Sequence, residues 1–211
     1  MIRFLPGRLD HLLCLGAHAD DIEIGAGGTI LRLLREHPQA TVHWVVFSAV
    51  GERALEAERS AARFLEQTQA RKVVIRDFRD GYFPYQGDAI KQAFELLKGE
   101  IEPDLILTHS ALDAHQDHRL IHELTWNTFR RHAILEFEIP KYDGDLGRPN
   151  LFVPIPEELC QRKIKYVMSA FPTQAGKHWF SEETFRAMMR LRGVECGEKY
   201  AEAYFARKLV I

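Results

Sequence analysis

Cysteine is scarce in this chain: its three copies, Cys14, Cys160 and Cys196, are widely spaced and no CxxC pair exists. That argues against a disulfide framework and against a cysteine-built structural zinc site. Cys14, in the run Leu12-Leu13-Cys14-Leu15, reads as a small buried hydrophobe. Long apolar runs are lacking too. None approaches the roughly 20 residues of a membrane span, and residues 1–10 have no signal-peptide-like apolar region, so a cytoplasmic protein is the default expectation. Charge of one sign is also missing. The 28 Lys+Arg nearly balance the 30 Asp+Glu, for a formal net charge of −2, which gives no footprint for nucleic acid or an anionic membrane. No repeat, low-complexity tract or linker divides the chain, so residues 1–211 are read as one domain.

What is present fits a globular protein, with 46% hydrophobic and 27% charged residues. Apolar strand-like runs alternate with amphipathic helix-like ones. Strands are expected at 11–17, 41–48, 72–76 and 104–108, with helices at 27–37, 51–67, 88–101 and 115–131 between and after them. This β-α-β-α order predicts a mostly parallel sheet with helices on both faces. Further along, strands are expected at 133–139 and 151–155, helices at 156–170 and 181–192, and a last strand at 205–211. Ser181, followed by Glu182 and Glu183, reads as a helix start.

The chemistry-bearing residues follow two of the strands. One cluster is His18-Ala19-Asp20-Asp21-Ile22-Glu23; the other is His109-Ser110-Ala111-Leu112-Asp113-Ala114-His115-Gln116-Asp117-His118. Open α/β sheets bind ligands beyond the carboxyl ends of their strands, where the strand order reverses. If the strand at 104–108 lies beside the first, both clusters share one crevice. His18 and Asp21 are three residues apart, as are His115 and His118, a spacing that one helical turn puts on one face. Imidazole plus carboxylate suits zinc, and three protein ligands with an open fourth position mark a catalytic site. Singly, these signals are weak: Asp20 and Asp21 read better as caps of the following helix. Gly25-Ala26-Gly27-Gly28 fits neither G-x-G-x-x-G, because Ile30 occupies the sixth position, nor a P-loop, which needs a lysine. Close packing at a tight strand-to-helix connection is its better reading.

His18-Ala19-Asp20-Asp21-Ile22-Glu23-Ile24-Gly25 with Gly27-Gly28-Thr29 resembles the N-terminal signature of the PIG-L/LmbE-like deacetylases. His115-Gln116-Asp117-His118 resembles their second signature, usually preceded by an aspartate like Asp113. The resemblance extends to Gly51-Glu52-Arg53 with Glu56, to Arg192-Gly193 and to Tyr200-Ala201-Glu202-Ala203, and departs at Ala19, where the family usually has proline. It implies a Rossmann-like three-layer α/β/α fold with the active site at the C-terminal ends of the strands. It further implies His18, Asp21 and His118 as zinc ligands, with Fe2+ or Co2+ as other candidates. Asp20 would be the general base, His115 the histidine near the developing oxyanion, and Asp117 the carboxylate that orients and charges it. Arg53 would contact substrate, although pairing with Glu52 or Glu56 explains it equally well.

The activity implied is metal-dependent removal of acetyl from an N-acetylglucosamine-type conjugate. An amidase of a non-sugar or thiol-conjugate amide, and a non-catalytic sugar-binding module, are the alternatives. Tyr82, Phe83 and Tyr85, then Lys141, Tyr142 and Asp143, and His178 with Trp179 are candidates for a substrate rim. Asp113 is expected to orient a ligand histidine, and His109 only to end its strand. A small-molecule amino-sugar conjugate is the expected partner, with no nucleic acid and no membrane segment; a homo-oligomer is left open.

Overall fold

The computed structural model describes residues 7–68 and 70–208. The elements run β1 (His11–His18), α1 (Asp21–Glu36), β2 (Thr41–Ser48), α2 (Glu52–Phe64), β3 (Ala70–Ile75), α3 (Gly87–Glu100), β4 (Leu105–His109), α4 (Gln116–Thr128), β5 (Ala133–Phe137), β6 (Leu151–Pro154), α5 (Glu157–Ala170), α6 (Glu182–Cys196) and β7 (Ala201–Phe205). Short apolar runs make the central strands, Leu-rich in β1 and Val-rich in β2, and these are buried on both faces as parallel strands must be. The seven strands form one sheet in the order β3-β2-β1-β4-β5-β7-β6. β1 pairs in parallel with both β2 and β4, and β4 with β5. β7 runs antiparallel to both β5 and β6.

Each face of the sheet has its own apolar core. One holds Trp44, Phe64, Phe137 and Phe171, covered by α1, α2 and α5. The other holds Phe47, Phe83, Phe94 and Phe129, beneath α3 and α4. The fold is therefore the expected three-layer α/β/α arrangement. Strand order reverses between β1 and β4, so the two chemistry-bearing segments emerge side by side, with Leu12 opposite Leu105 and Cys14 opposite Leu107.

Three local expectations are corrected. Helix α1 begins at Asp21, not at residue 27, because the polar stretch after β1 is folded inward: Asp20, Asp21 and Glu23 are all buried. The glycines therefore lie inside this helix rather than in a connection. A Cβ on Gly25 would sit 2.3 Å from the Phe137 ring, and one on Gly28 2.9 Å from Glu202. The final strand is 201–205 rather than 205–211; residues 206–208 are not strand, and 209–211 lie outside the described residues.

Glu202 of that strand is spliced into α1. Its carboxylate accepts the N–H groups of Gly28 (2.8 Å) and Thr29 (2.7 Å), while Lys163 donates to Glu202 and to the Ile24 carbonyl, both at 2.6 Å. The glycine backbone allows this approach, since any side chain there would displace the carboxylate. The ion pair is buried on both sides, a setting in which removing one partner costs far more than the pair contributes.

Candidate metal centre

β1 delivers His18 at its last residue, and α1 starts with Asp21. The two are thus not on one helical turn, as their spacing had suggested, but face each other across a strand-to-helix corner. β4 ends at His109, a loop returns, and α4 opens with His115 as its N-cap and His118 in its first turn. Neither aspartate of the first cluster caps its helix: Asp20 sits at the N-cap position without a side-chain cap bond. Asp21 instead accepts the backbone N–H of His18 at 2.6 Å. Both carboxylates are kept for other partners.

Three atoms converge at the corner. His18 Nδ1 lies 3.1 Å from His118 Nε2 and 3.4 Å from Asp21 Oδ2, and His118 Nε2 lies 3.5 Å from the same oxygen. The outer atom of each ring meets a carboxylate: His118 Nδ1 is 2.8 Å from Asp113 Oδ2, and His18 Nε2 is 3.2 Å from Asp117 Oδ2 and 3.0 Å from Asp80 Oδ1. With protons on those outer nitrogens, His18 Nδ1 and His118 Nε2 turn lone pairs toward a carboxylate oxygen. Such a triangle calls for positive charge among its corners, which a bound cation, or a second proton on His18, supplies. Its edges also match the ligand–ligand spacing of about 3.3–3.4 Å in a tetrahedral site with bonds of 2.0–2.1 Å. The donor set therefore fits a divalent metal, with each ligand histidine oriented by a second carboxylate.

Overlapping sets also bring ligand atoms within 4.8 Å: Asp21, His109 and His118; His18, His115 and His118; and His18, Asp80, His115 and Asp117. His109 is the weaker ligand, because its Nε2 accepts the Ala17 N–H at 2.9 Å. Its ring instead stacks on His118 with centroids 4.0 Å apart.

The electrostatics match this geometry. Burial works against the Asp21 carboxylate, but His118 and His109 outweigh it and hold the group well below the usual range. Burial and His109 push His118 down to about 4, which keeps the ring neutral. At His18, burial opposes a positive charge, yet hydrogen bonds to Asp117 and Asp21 raise its pKa well above the ordinary value. The surroundings thus call for positive charge at that point. Burial raises Asp20, with Arg53 offsetting only part of the effect.

Arg53 donates to Asp20 Oδ1 at 2.8 Å and to Glu56 Oε2 at 3.1 Å. It is therefore tied to the site rather than free on its helix. His115 Nδ1 accepts the Asp117 N–H at 3.2 Å, and burial, then His18, lower its pKa. That favours a neutral ring rather than the cation expected. The Asp117 carboxylate also turns elsewhere than expected. It meets His18, together with the backbone N–H groups of Gly81 (2.7 Å) and Phe83 (3.1 Å), and not the His115 ring. Among the rim candidates, Tyr82, Tyr85 and Tyr142 are exposed, while Phe83 is core. His109 ends its strand as expected but also packs on His118, and one participant escaped the sequence reading: Asp80, which is exposed at the mouth. The signal for Asp80 was its place before Gly81, a turn glycine at φ +75° just beyond β3.

Fold and site together define a doubly wound α/β protein with a His/Asp metal-type centre at its switch point. The GlcNAc-PI de-N-acetylase (PIG-L) family model matches residues 13–129. This is more than half the chain and includes every residue of the triangle; the chain belongs to the PIG-L family. A diacetylchitobiose deacetylase of Thermococcus kodakarensis is 25% identical over 221 residues, covering 90% of this chain and 80% of its own. Among solved structures, the N,N'-diacetylchitobiose deacetylase of Pyrococcus horikoshii, complexed with its inhibitor MPG, superposes with a TM-score of 0.71 at 22% identity, covering 93% of this chain and 83% of that one. These relatives are deacetylases, hydrolases acting on amides. The 4-carboxy-2-hydroxymuconate hydratase of Pseudomonas putida KT2440 superposes as well, with a TM-score of 0.74 at 18% identity over 96% of this chain and 98% of its own. The fold by itself therefore does not choose the reaction.

Proposed function

We propose that this chain, acting as a single domain, is a metal-dependent deacetylase that removes acetyl from an N-acetylglucosamine-type amino-sugar conjugate. The observation that carries the reading is the convergence of His18 Nδ1 and His118 Nε2 with the Asp21 carboxylate, next to a buried Asp20 that caps nothing. His18, Asp21 and His118 would hold the cation. Zinc suits two imidazoles and a carboxylate best, with Fe2+ or Co2+ as alternatives. A divalent cation bound there supplies Lewis acidity, making water easier to deprotonate and the acetyl carbonyl more electrophilic.

The chain's own residues do the rest. Asp20 is the general base. Arg53 holds its Oδ1, which leaves Oδ2 to take the proton of the attacking water, and burial strengthens it for that task. The same carboxyl then delivers its proton to the departing amine nitrogen, giving acetate and a free amine. His115, with Nδ1 engaged, carries its proton on Nε2 and acts as a neutral donor to the carbonyl oxygen as negative charge develops there. Asp117 holds the His18 ring and is a positioning residue. Arg53, a quarter exposed, and Asp80, mostly exposed, present a donor and an acceptor to sugar hydroxyls at the mouth. The diacetylchitobiose deacetylases among the relatives support an N-acetylated sugar over another amide.

The test is acetate release from a panel of N-acetylhexosaminides differing only in aglycone, with chelated and zinc-reloaded protein. Activity should vanish on chelation and return with the metal. Absence of bound metal after chelator-free purification, or no acetate from any member of the panel, sinks the reading.

A further inference from the structure

Behind His118 lies a charge that the reaction does not touch. Lys141, in the segment after β5, has a side chain only 9% exposed. Its ammonium sits 2.5 Å from Asp145 Oδ2 and 3.1 Å from Asp113 Oδ1. Burial disfavours the charged form, and the two carboxylates outweigh it. Both carboxylates grip the turn that leads into α4: Asp145 accepts the N–H of Ala114 at 2.7 Å, and Asp113 that of His115 at 2.8 Å. The other oxygen of Asp113 receives Nδ1 of His118 at 2.8 Å. One ammonium is thus held between two nearly buried anions, and one of those anions aims a ligand histidine.

We propose that Lys141 is a positioning residue for the metal centre: by neutralising the Asp113–Asp145 pair it keeps Asp113 seated against His118 Nδ1, and so keeps His118 Nε2 turned toward His18 and Asp21. The inference rests on His118 being a ligand, as argued above. Without the ammonium, two anions in a poorly hydrated place lack a counter-charge and are driven apart. The turn they both hold moves with them, and the imidazole loses its acceptor. A strut that merely stabilised the loop would lower melting temperature without regard to charge. The positioning role has a different signature: it is relieved by deleting the competing anion.

Zinc affinity of the full chain, measured by competition with a chromophoric chelator, is the readout, with apo-protein melting recorded alongside. Lys141→Met should weaken zinc binding by about 10–100-fold, the usual penalty for losing an outer partner of a metal site. Asp145→Asn alone, which keeps Lys141 on Asp113, should stay within about threefold of wild type, the double variant K141M/D145N regaining most of what K141M loses. Unchanged affinity in K141M, a tenfold loss in D145N, or a double variant as weak as K141M would each overturn the proposal. Should K141M fold poorly, the D145N arm still decides. Wild-type protein that binds no zinc would instead remove the centre itself and this inference with it, an outcome read before any variant is made.

Discussion

His18 Nδ1 stands 3.1 Å from His118 Nε2, two imidazole nitrogens brought together from the end of strand β1 and the first turn of helix α4 across 100 residues of sequence. Their outer nitrogens both meet carboxylates, so with protons there the two neutral rings face each other through lone pairs. A cation resolves that contact, and its removal should be felt by the whole fold. Binding to the native state alone stabilises by about 2.7 kcal/mol at one hundred times the dissociation constant.

His118→Ala and Asp20→Asn should therefore separate cleanly. The first is expected to purify without metal. The second should keep near-stoichiometric metal while kcat falls by about 10²–10⁴, the usual worth of a positioned base. Metal content per chain and acetate release, measured on the same preparations, check this. Equal metal loss in both variants would show the division between ligand and base to be wrong.

Asp117→Asn tests whether that carboxylate serves His18 or His115. If it holds His18, the variant should bind zinc about 10–100-fold more weakly, with a smaller change in kcat once zinc is saturating. A pure kcat defect at unchanged zinc affinity would return Asp117 to His115.

Glu23 makes a pH prediction with a definite sign. It is fully buried, and burial, opposed by Ser60 and reinforced by Asp20 and Asp21, pushes its pKa up from 4.5 to about 8. Between those values the native state holds a proton that the unfolded state has released, so this residue makes stability fall as pH rises. In urea unfolding from pH 5 to 8, wild type should lose stability more steeply than Glu23→Gln, by roughly 1–3 kcal/mol over the range. Parallel curves for the two proteins would refute it.

Gly25→Ala should destabilise through packing alone. Its Cβ would fall 2.3 Å from the Phe137 ring, which belongs to β5 and is itself fully buried. Overpacking of this kind costs about 1–3 kcal/mol. Thermal melting should show the loss, and Phe137→Leu in the same chain should recover part of it.

The strands β1, β2, β4 and β5 were legible because a short apolar run flanked by polar residues has few other readings. The first two turns of α1 were not. Asp20, Asp21 and Glu23 look like a solvated loop; partners far away in sequence, Arg53 for Asp20 and His109 and His118 for Asp21, make burial of the first two tolerable, and Glu23 is buried by keeping its proton. The last strand was misplaced for the same reason, since Glu202 reads as exposed until Lys163 is known to meet it. Within the site, residue types and their gathering at one crevice could be read from spacing and from the family signatures. The direction of each side chain could not. Asp117 turns across to β1 and the 81–83 loop, and no spacing along α4 encodes that. Asp80 carried nothing but its turn glycine.

The carboxylate of Glu202 closes hydrogen bonds with Gly28 and Thr29 across 174 and 173 residues. On a ribosome, the clasp that completes α1 is thus made more than 173 residues after the candidate metal corner it braces. Contacts of such separation form slowly, because the loop must close before they reward it. A chain ended before Glu202 would carry Asp21 on a helix whose Gly28 and Thr29 N–H groups lack this acceptor, and so would hold it less firmly against His18. Firm seating of the corner is in this way deferred until Glu202 has been synthesised.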